Sequence, residues 1–291
     1  MDKNKKPLIT ERPDEFIKSV IINKLNLTDI PEKDLIHIKD KMIEYGAQTY
    51  VKNKKQNPLN FKFINRTGEF SLSSMIFGLV KSFKLIKDLI EKKEKVLFVI
   101  TKNAGITEFV EQQCNLNDQL FVTKRWLGGI LTNFKTIKKS IMKLNDLEKL
   151  EMTGDIKKYV KKEQIEKRKE ILKMNGFIGG IKKMDRIPKL VVIFDPALEY
   201  NTIAEANDMG CNIIGISNIN SNPNLISYNI PLNTRSKKSA WLILATLFDA
   251  INIKNNNPTN IIGKDITLPE FLSSNNNQTK SIISHKKFSS K

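Results

Sequence analysis

Apolar positions recur along this chain in two rhythms, and the rhythms mark its elements. FKFI at 61–64 reads as a strand. From Met75 to Glu91 the apolar residues Ile76, Leu79, Val80, Phe83, Ile86 and Ile90 share one face of a helix. VLFVIT at 96–101 is an unbroken β-branched and aromatic run, the signature of a strand buried on both faces. A helix through Ile106, Phe109 and Val110 follows it. QLFV (119–122), KLVVIFD (189–195) and NIIGIS (212–217) are further strands. AEANDMG (204–210) lies between the last two as a helical turn, and Gly210 is a natural stop. Strands alternating with helices predict an α/β fold: a parallel sheet with helices on both faces.

One stretch departs from this alternation. Between Asn133 and Met184 there is no strand signal. Ile137, Ile141, Leu144 and Leu147 recur at helical spacing, a Thr-Gly-Asp turn follows at 153–155, and helical character then resumes. The pattern predicts two long helices forming an antiparallel arm inserted between strands of the sheet. The chain thus divides into an N-terminal extension (1–34), an α/β core (35–132 and 185–251), the helical, coiled-coil-like arm (133–184) and a tail (252–291). The tail is rich in Asn, Ser and Lys and without periodicity; it is expected to be disordered, with a basic end able to lie on nucleic acid.

Charge refines this picture by where it sits. The chain has 49 basic and 31 acidic residues among 291, a formal charge of +18. Of the cations 43 are lysine and 6 arginine, and with abundant Asn and Ile this bears the mark of A+T-rich codons. Drift therefore explains part of the total. Between Lys124 and Lys189, however, 19 basic residues face 8 acidic ones, which points that segment towards a polyanion. The longest apolar runs, VLFVI and WLILATLF (241–248), are too short to span a membrane. Cys114 and Cys211 alone make neither a disulfide scaffold nor a cysteine-rich zinc site, so a reducing compartment fits. The N-terminus has no apolar signal core, and Asp2, Glu11, Asp14 and Glu15 are foreign to a transit peptide.

An α/β sheet invites a search for catalytic chemistry. The turn after VLFVIT reads KNAGITEF, and neither G-x-G-x-x-G nor G-x-x-x-x-G-K-[ST] occurs. His37 and His285 are the only histidines. Asp195-Pro196 ends a strand where α/β folds place ligands. With no second catalytic group beside it in sequence, the expected role of Asp195 is local, holding the following turn. No catalytic residue, metal set, cofactor or small-molecule substrate is expected.

The densest signal is VTKRWLGGILTNFKTIKKSI (122–141). A strand end delivers Lys124 and Arg125, then Trp126, then Gly128 and Gly129, whose bare backbone permits close approach. Thr132 or Asn133 can cap the next helix, which carries Lys135, Lys138 and Lys139 in its first turns. Cations, an aromatic and a flexible backbone suit an RNA backbone. Trp126 is equally a core residue on this reading. The candidate RNA contacts are these residues together with Lys102, Lys182, Lys183, Arg186, Arg235, Lys237 and Lys238.

RWLGGILTNFKTIKKSI resembles the signature segment of the small ribosomal subunit protein two family, bacterial and organellar type. The likeness extends from about 35 to 251, through Gly46-Ala47-Gln48-Thr49, Asn57-Pro58, Phe63-Ile64, Arg66, Gly68, Gly179-Gly180-Ile181, Pro188 to Pro196, Glu199, Glu205-Ala206, Gly210, Asn222-Pro223 and Ile230-Pro231. The resemblance implies a three-layer flavodoxin-like α/β domain with a projecting helical hairpin. It implies a structural constituent of the small subunit, binding small-subunit rRNA and neighbouring ribosomal proteins, without catalysis. A free-standing RNA-binding assembly factor is the alternative, and a nucleotide-binding enzyme a weaker one. Three segments depart from the family pattern. Glu44-Tyr45-Gly46-Ala47 lacks the histidines usual there, the acidic strand-end motif reads Ser217 to Asn224 with amides, and Leu232 to Ala240 has turned from acidic to basic. The Lys, Asn and Ile bias points to an organellar gene, mitochondrial first, with a plastid or an A+T-rich bacterium as alternatives.

Overall fold

A computed structural model describes residues 29–51, 61–64, 67–101, 104–269 and 272. In chain order the helices are α1 (Glu32–Glu44), α2 (Leu72–Glu91), α3 (Ala104–Leu116), α4 (Phe134–Met152), α5 (Lys161–Ile178), α6 (Tyr200–Asp208) and α7 (Lys237–Lys254). The strands are β1 (Thr49–Val51), β2 (Phe61–Ile64), β3 (Thr67–Phe70), β4 (Val96–Val99), β5 (Leu120–Val122), β6 (Leu190–Phe194), β7 (Asn212–Ser217) and β8 (Tyr228–Pro231).

The principal sheet is all parallel, in the order β5-β4-β6-β7-β8. Counted from β4, this is the 2-1-3-4-5 winding of flavodoxin-like folds, which reverses direction between β4 and β6. Side chains alternate between the two faces, as the period-two geometry of a strand requires. Val96, Phe98, Leu190, Val192, Ile214 and Ile216 enter a core completed by α1, α2, α3 and α7. Leu97, Val99, Val191, Ile193 and Ile213 enter a second core with α4, α5 and α6. Three layers result, as expected. Among the described residues no helix is long and apolar enough to cross a membrane.

The strands predicted at 61–64, 96–101, 119–122, 189–195 and 212–217 all form. β8 escapes the sequence reading because Asn229 and Pro231 break its apolar run; as the edge strand it tolerates a proline. β1 and β3 also escape it; β3 pairs antiparallel with both β1 and FKFI, in the order β1-β3-β2.

Between β5 and β6 the chain forms α4 and α5 side by side, joined by a short turn at Asp155–Lys158. Ile137, Ile141, Leu144 and Leu147, the four predicted inward positions, are all buried. Lys143 pairs with Glu170 at 2.5 Å, Arg168 with Glu151 at 3.2 Å, and Asn175 donates to Glu148 at 2.6 Å. The helices return to the sheet through a tight turn at Gly179–Ile181 against β5. A Cβ at Gly180 would run into the Phe121 carbonyl oxygen, so only glycine allows this approach.

The expected disorder of the tail is corrected for 252–269. Ile261, Ile262 and Ile266 belong to the first core. The buried Asp249 carboxylate accepts from the backbone N–H groups of Asn260, Ile261 and Ile262 at 2.5–2.9 Å. Polar composition concealed three isoleucines and a carboxylate one helix earlier. Residues 1–28, 270–271 and 273–291 lie outside the described residues.

Candidate nucleic-acid interface

The segment from Thr123 to Asn133 crosses from β5 to α4 wrapped around one carboxylate. Glu205, on α6 and 9% exposed, accepts from the Trp126 indole N–H at 2.9 Å. It also accepts from the backbone N–H of Gly129 (2.8 Å), Leu131 (3.0 Å) and Thr132 (3.4 Å), and from the Thr132 hydroxyl (3.3 Å). Burial pushes this carboxyl up, but the indole and the three backbone N–H groups outweigh it and hold it below the ordinary carboxylate range. The loop is thus a rigid platform rather than a flexible tether. Trp126, 8% exposed, belongs to the second core. The expectation that it offers a stacking face is corrected: its ring is packed and its N–H committed.

Two further details of the segment differ from the sequence reading. Asn133 occupies the N-cap position of α4 without a side-chain bond to the helix backbone; its carbonyl accepts instead from the Thr136 hydroxyl at 2.9 Å. Thr132 spends its hydroxyl on Glu205. Gly129 has φ +90, a conformation that costs a side chain dearly. Gly128 is exposed, and a Cβ there would meet nothing within 4 Å.

The expected cations flank this loop in the sequence. Lys124 and Arg125 are exposed before the loop; Lys135, Lys138 and Lys139 are exposed on the first turns of α4. Positions 135, 138 and 139 lie on one helix face. Among the described residues none of the five forms an ion pair. Lys135, in the first turn of α4, opposes the macrodipole, so local stability does not account for it.

Other expected contacts are spent internally. Lys182 pairs with Glu148 at 2.8 Å, Lys183 with Asp118 at 2.5 Å, and Arg186 with Glu94 at 2.9 Å, where Lys189 also binds at 2.8 Å. Glu94 is held below the ordinary carboxylate range chiefly by the Lys189 hydrogen bond, and Asp118 by Lys183 and Lys95. These pairs tie the base of the helical hairpin to the sheet. Lys102 lies outside the described residues. Arg235, Lys237 and Lys238 form a separate exposed basic edge where β8 leads into α7.

At the carboxyl end of β6, Asp195 takes φ +54, a left-handed conformation that Asp tolerates better than most residues. Asn218 donates to its Oδ1 at 2.7 Å, and Thr234 to its Oδ2 at 3.4 Å. Buried Glu199 accepts from Thr101, a bond that ties β6 to the end of β4, and from Thr202 at 3.5 Å. Sequence reasoning singled out Asp195 but missed Glu199, Asn218 and Thr234 as its neighbours, and missed the anchoring role of Glu205. No local signal marks a partner that the fold brings in from 79 residues away.

Fold and surface define the class: a flavodoxin-like α/β protein with two helices side by side between its second and third parallel strands and exposed cations at their start that form no ion pair among the described residues. The sequence pattern of ribosomal protein S2 matches residues 40–253. Small ribosomal subunit protein uS2 of Ureaplasma urealyticum is 36% identical over 241 residues, covering 80% of this chain and 69% of that protein. Its counterpart in Malacoplasma penetrans is 34% identical over 258 residues, 84% and 70% of the two chains. That of Roseiflexus castenholzii is 38% identical over 206 residues, 71% and 78%. The chain belongs to the ribosomal protein S2 family.

Proposed function

We propose that this protein is a structural constituent of the small ribosomal subunit and grips small-subunit rRNA through Lys124, Arg125, Lys135, Lys138 and Lys139. One observation carries the assignment: five exposed cations, none of them in an ion pair among the described residues, stand beside the loop held by Glu205 and on the first turns of the helix that follows it. Like charges of this density without partners are matched by a polyanion outside. Arg235, Lys237 and Lys238 supply a second basic edge. Lys182, Lys183 and Arg186 act mainly within the protein, and Gly128 gives backbone access to the RNA.

The role is structural rather than catalytic. The hairpin of α4 and α5, together with residues 133–184 as a unit, serves neighbouring small-subunit proteins as well as RNA. Its exposed Met142, Ile165 and Leu172 are suited to protein contact. The ribosome itself sits in a bacterial cytoplasm or an organelle. The relatives from bacteria favour the first; the Lys, Asn and Ile bias favours a mitochondrial matrix.

Alanine replacement of the five cations tests the RNA face. The expected result is loss of incorporation into small subunits that is greatest at low salt, with a shallower salt dependence than wild type, because each lost phosphate contact removes released counterions. Wild-type incorporation with an unchanged salt dependence would remove the assignment. Wild-type protein that washes off subunits in high salt would instead mark a transient assembly factor.

A further inference from the structure

α5 carries apolar side chains on two faces, and the second core occupies only one of them. Ile171 and Ile178 are buried, and Met174 packs against the same core. Ile165 and Leu172 turn away from it and are 53% and 74% exposed. Seven positions apart, they stand on one line along the helix, two turns from each other. A surface helix that serves one core needs one apolar stripe. The second stripe asks for a second partner.

The surroundings of this stripe define what the partner carries. Lys162 stands three positions before Ile165, Lys169 four after it, and Lys173 directly after Leu172, so all three flank the stripe on one side. They are exposed, and among the described residues none of them forms an ion pair. Glu166 adds a single negative charge beside them. Cations bordering isoleucine and leucine are matched by a surface of the same construction and opposite charge. An amphipathic helix has that form when its apolar residues meet the stripe and its Asp and Glu meet the lysines. A second copy of this chain would set lysine against lysine, and an RNA backbone has no use for two aliphatic side chains.

The same face runs into a groove at the foot of α5. Gly176 follows Leu172 by four positions and lines a space of about 300 Å³ between α5, the edge strand β5 and α3. Phe121 and Phe177, both half-buried, offer ring surface there, and Gly179 and Gly180 leave the wall without side chains. The polar lining is largely committed: Glu111 accepts from Thr123, and Asn175 and Lys182 both donate to Glu148. Lys124 lies over Gly176, where a Cβ would sit 3.5 Å from its Nζ. Protein interfaces are commonly anchored by one large side chain in such a pocket.

We propose that the outer face of α5 docks an acidic amphipathic helix of a neighbouring small-subunit protein. Its apolar residues lie on Ile165 and Leu172, its carboxylates on Lys162, Lys169 and Lys173, and one large apolar side chain enters the groove at Gly176. The proposal rests on the ribosomal reading above, since the partner is a subunit protein. Exposed ion pairs and two apolar contacts hold weakly by themselves. The contact therefore forms where rRNA already holds both proteins side by side.

Site-directed crosslinking of the full chain in assembled small subunits tests the proposal. Lys169→Cys is labelled with benzophenone maleimide; the natural Cys114 and Cys211 are buried. Labelled subunits are irradiated and digested, and the crosslinked segment is sequenced. The expected product joins position 169 to one protein segment with apolar residues at helical spacing and more Asp and Glu than Lys and Arg. The measurement is repeated with Ile165→Ser and Leu172→Ser added. The yield of that product should fall at least fivefold, while incorporation and the denaturation midpoint stay at wild-type values because both side chains are exposed. A crosslink to rRNA, to a second copy of this chain or to a segment without the acidic excess overturns the proposal. So does an unchanged yield in the serine variant, or the absence of any crosslink from protein that has entered subunits. In each of these cases the ribosomal reading stands. Failure of the wild type to enter subunits overturns that reading, and the docking with it.

Discussion

The Trp126 indole nitrogen donates to Glu205 Oε1 at 2.9 Å, and this bond joins the β5–α4 loop to a helix 79 residues later. The same carboxylate accepts from Gly129, Leu131 and Thr132, so it plays the part of a bound anion in a cradle of N–H groups. The loop between the two groups of cations is therefore organised from behind, by a carboxylate only 9% exposed. Rigidity on the inner side is what lets charge on the outer side be specific in position.

Replacing Glu205 by Gln tests this arrangement. The amide turns an NH₂ group towards donors that need an acceptor, at a cost of about 3 kcal/mol. The urea midpoint of the full chain should fall accordingly with little change in slope. The sign of the pH effect follows from the lowered carboxyl. Its stabilisation is complete above roughly pH 4.3, the unfolded value for Glu. It is lost as pH falls through the lower folded value. The variant should lack that acid-limb dependence; an identical acid profile would show that Glu205 does not hold the loop as a carboxylate.

Much of the fold was legible because it rests on periodicity. A five-stranded parallel sheet buried on both faces leaves runs such as VLFVI and LVVIF, and Ile137, Ile141, Leu144 and Leu147 announced α4 directly. The tight return of the hairpin was legible only as a double glycine, since the need for Gly180 comes from Phe121, on a strand 59 positions earlier. The site divides in the same way. Lys124 to Lys139 could be read from local charge density, whereas the burial of Trp126 and the pairing of Lys182, Lys183 and Arg186 depend on long-range partners.

The two glycines of the loop should separate folding from function. Gly129→Ala places a side chain at φ +90 and should lower stability by about 1–2 kcal/mol. Gly128→Ala adds a methyl group to open space, so the denaturation midpoint should stay within about 0.5 kcal/mol of wild type. If RNA approaches the backbone here, Gly128→Ala will nevertheless weaken incorporation into subunits. Wild-type incorporation by this variant would mean that Gly128 serves only the turn.

Gly180→Ala should be severe. The added Cβ collides with the Phe121 carbonyl oxygen and ring, and a backbone atom has little freedom to retreat. The turn at Gly179–Ile181 must lift from β5, and with it the foot of α5. We expect a loss of about 3 kcal/mol or more. Amide exchange should accelerate first at Leu120 to Val122 and Ile178 to Ile181. A variant as stable as wild type would show that the hairpin is not seated on the strand edge in this way.

Asp249 makes the final case, because its burial and its hydrogen bonds act in opposite senses. Burial pushes the carboxyl up, and the N–H groups of Asn260, Ile262 and Ile261 pull it back without fully offsetting the rise. A raised carboxyl holds its proton more tightly folded than unfolded. Its effect on stability is therefore most favourable below roughly pH 3.9, the unfolded value for Asp, and is lost as pH rises through the folded value. This is opposite in sign to Glu205. The geometry nonetheless demands an acceptor, since Asn260, Ile261 and Ile262 all point their N–H groups at it. Asp249→Asn removes the titration but turns an NH₂ group on that nest. We expect about 2 kcal/mol of destabilisation at neutral pH, the first loss of amide-exchange protection at 260–262, and new protease cleavage within 255–269. Cleavage confined to other segments would show that Ile261, Ile262 and Ile266 hold this stretch to the core without the carboxylate.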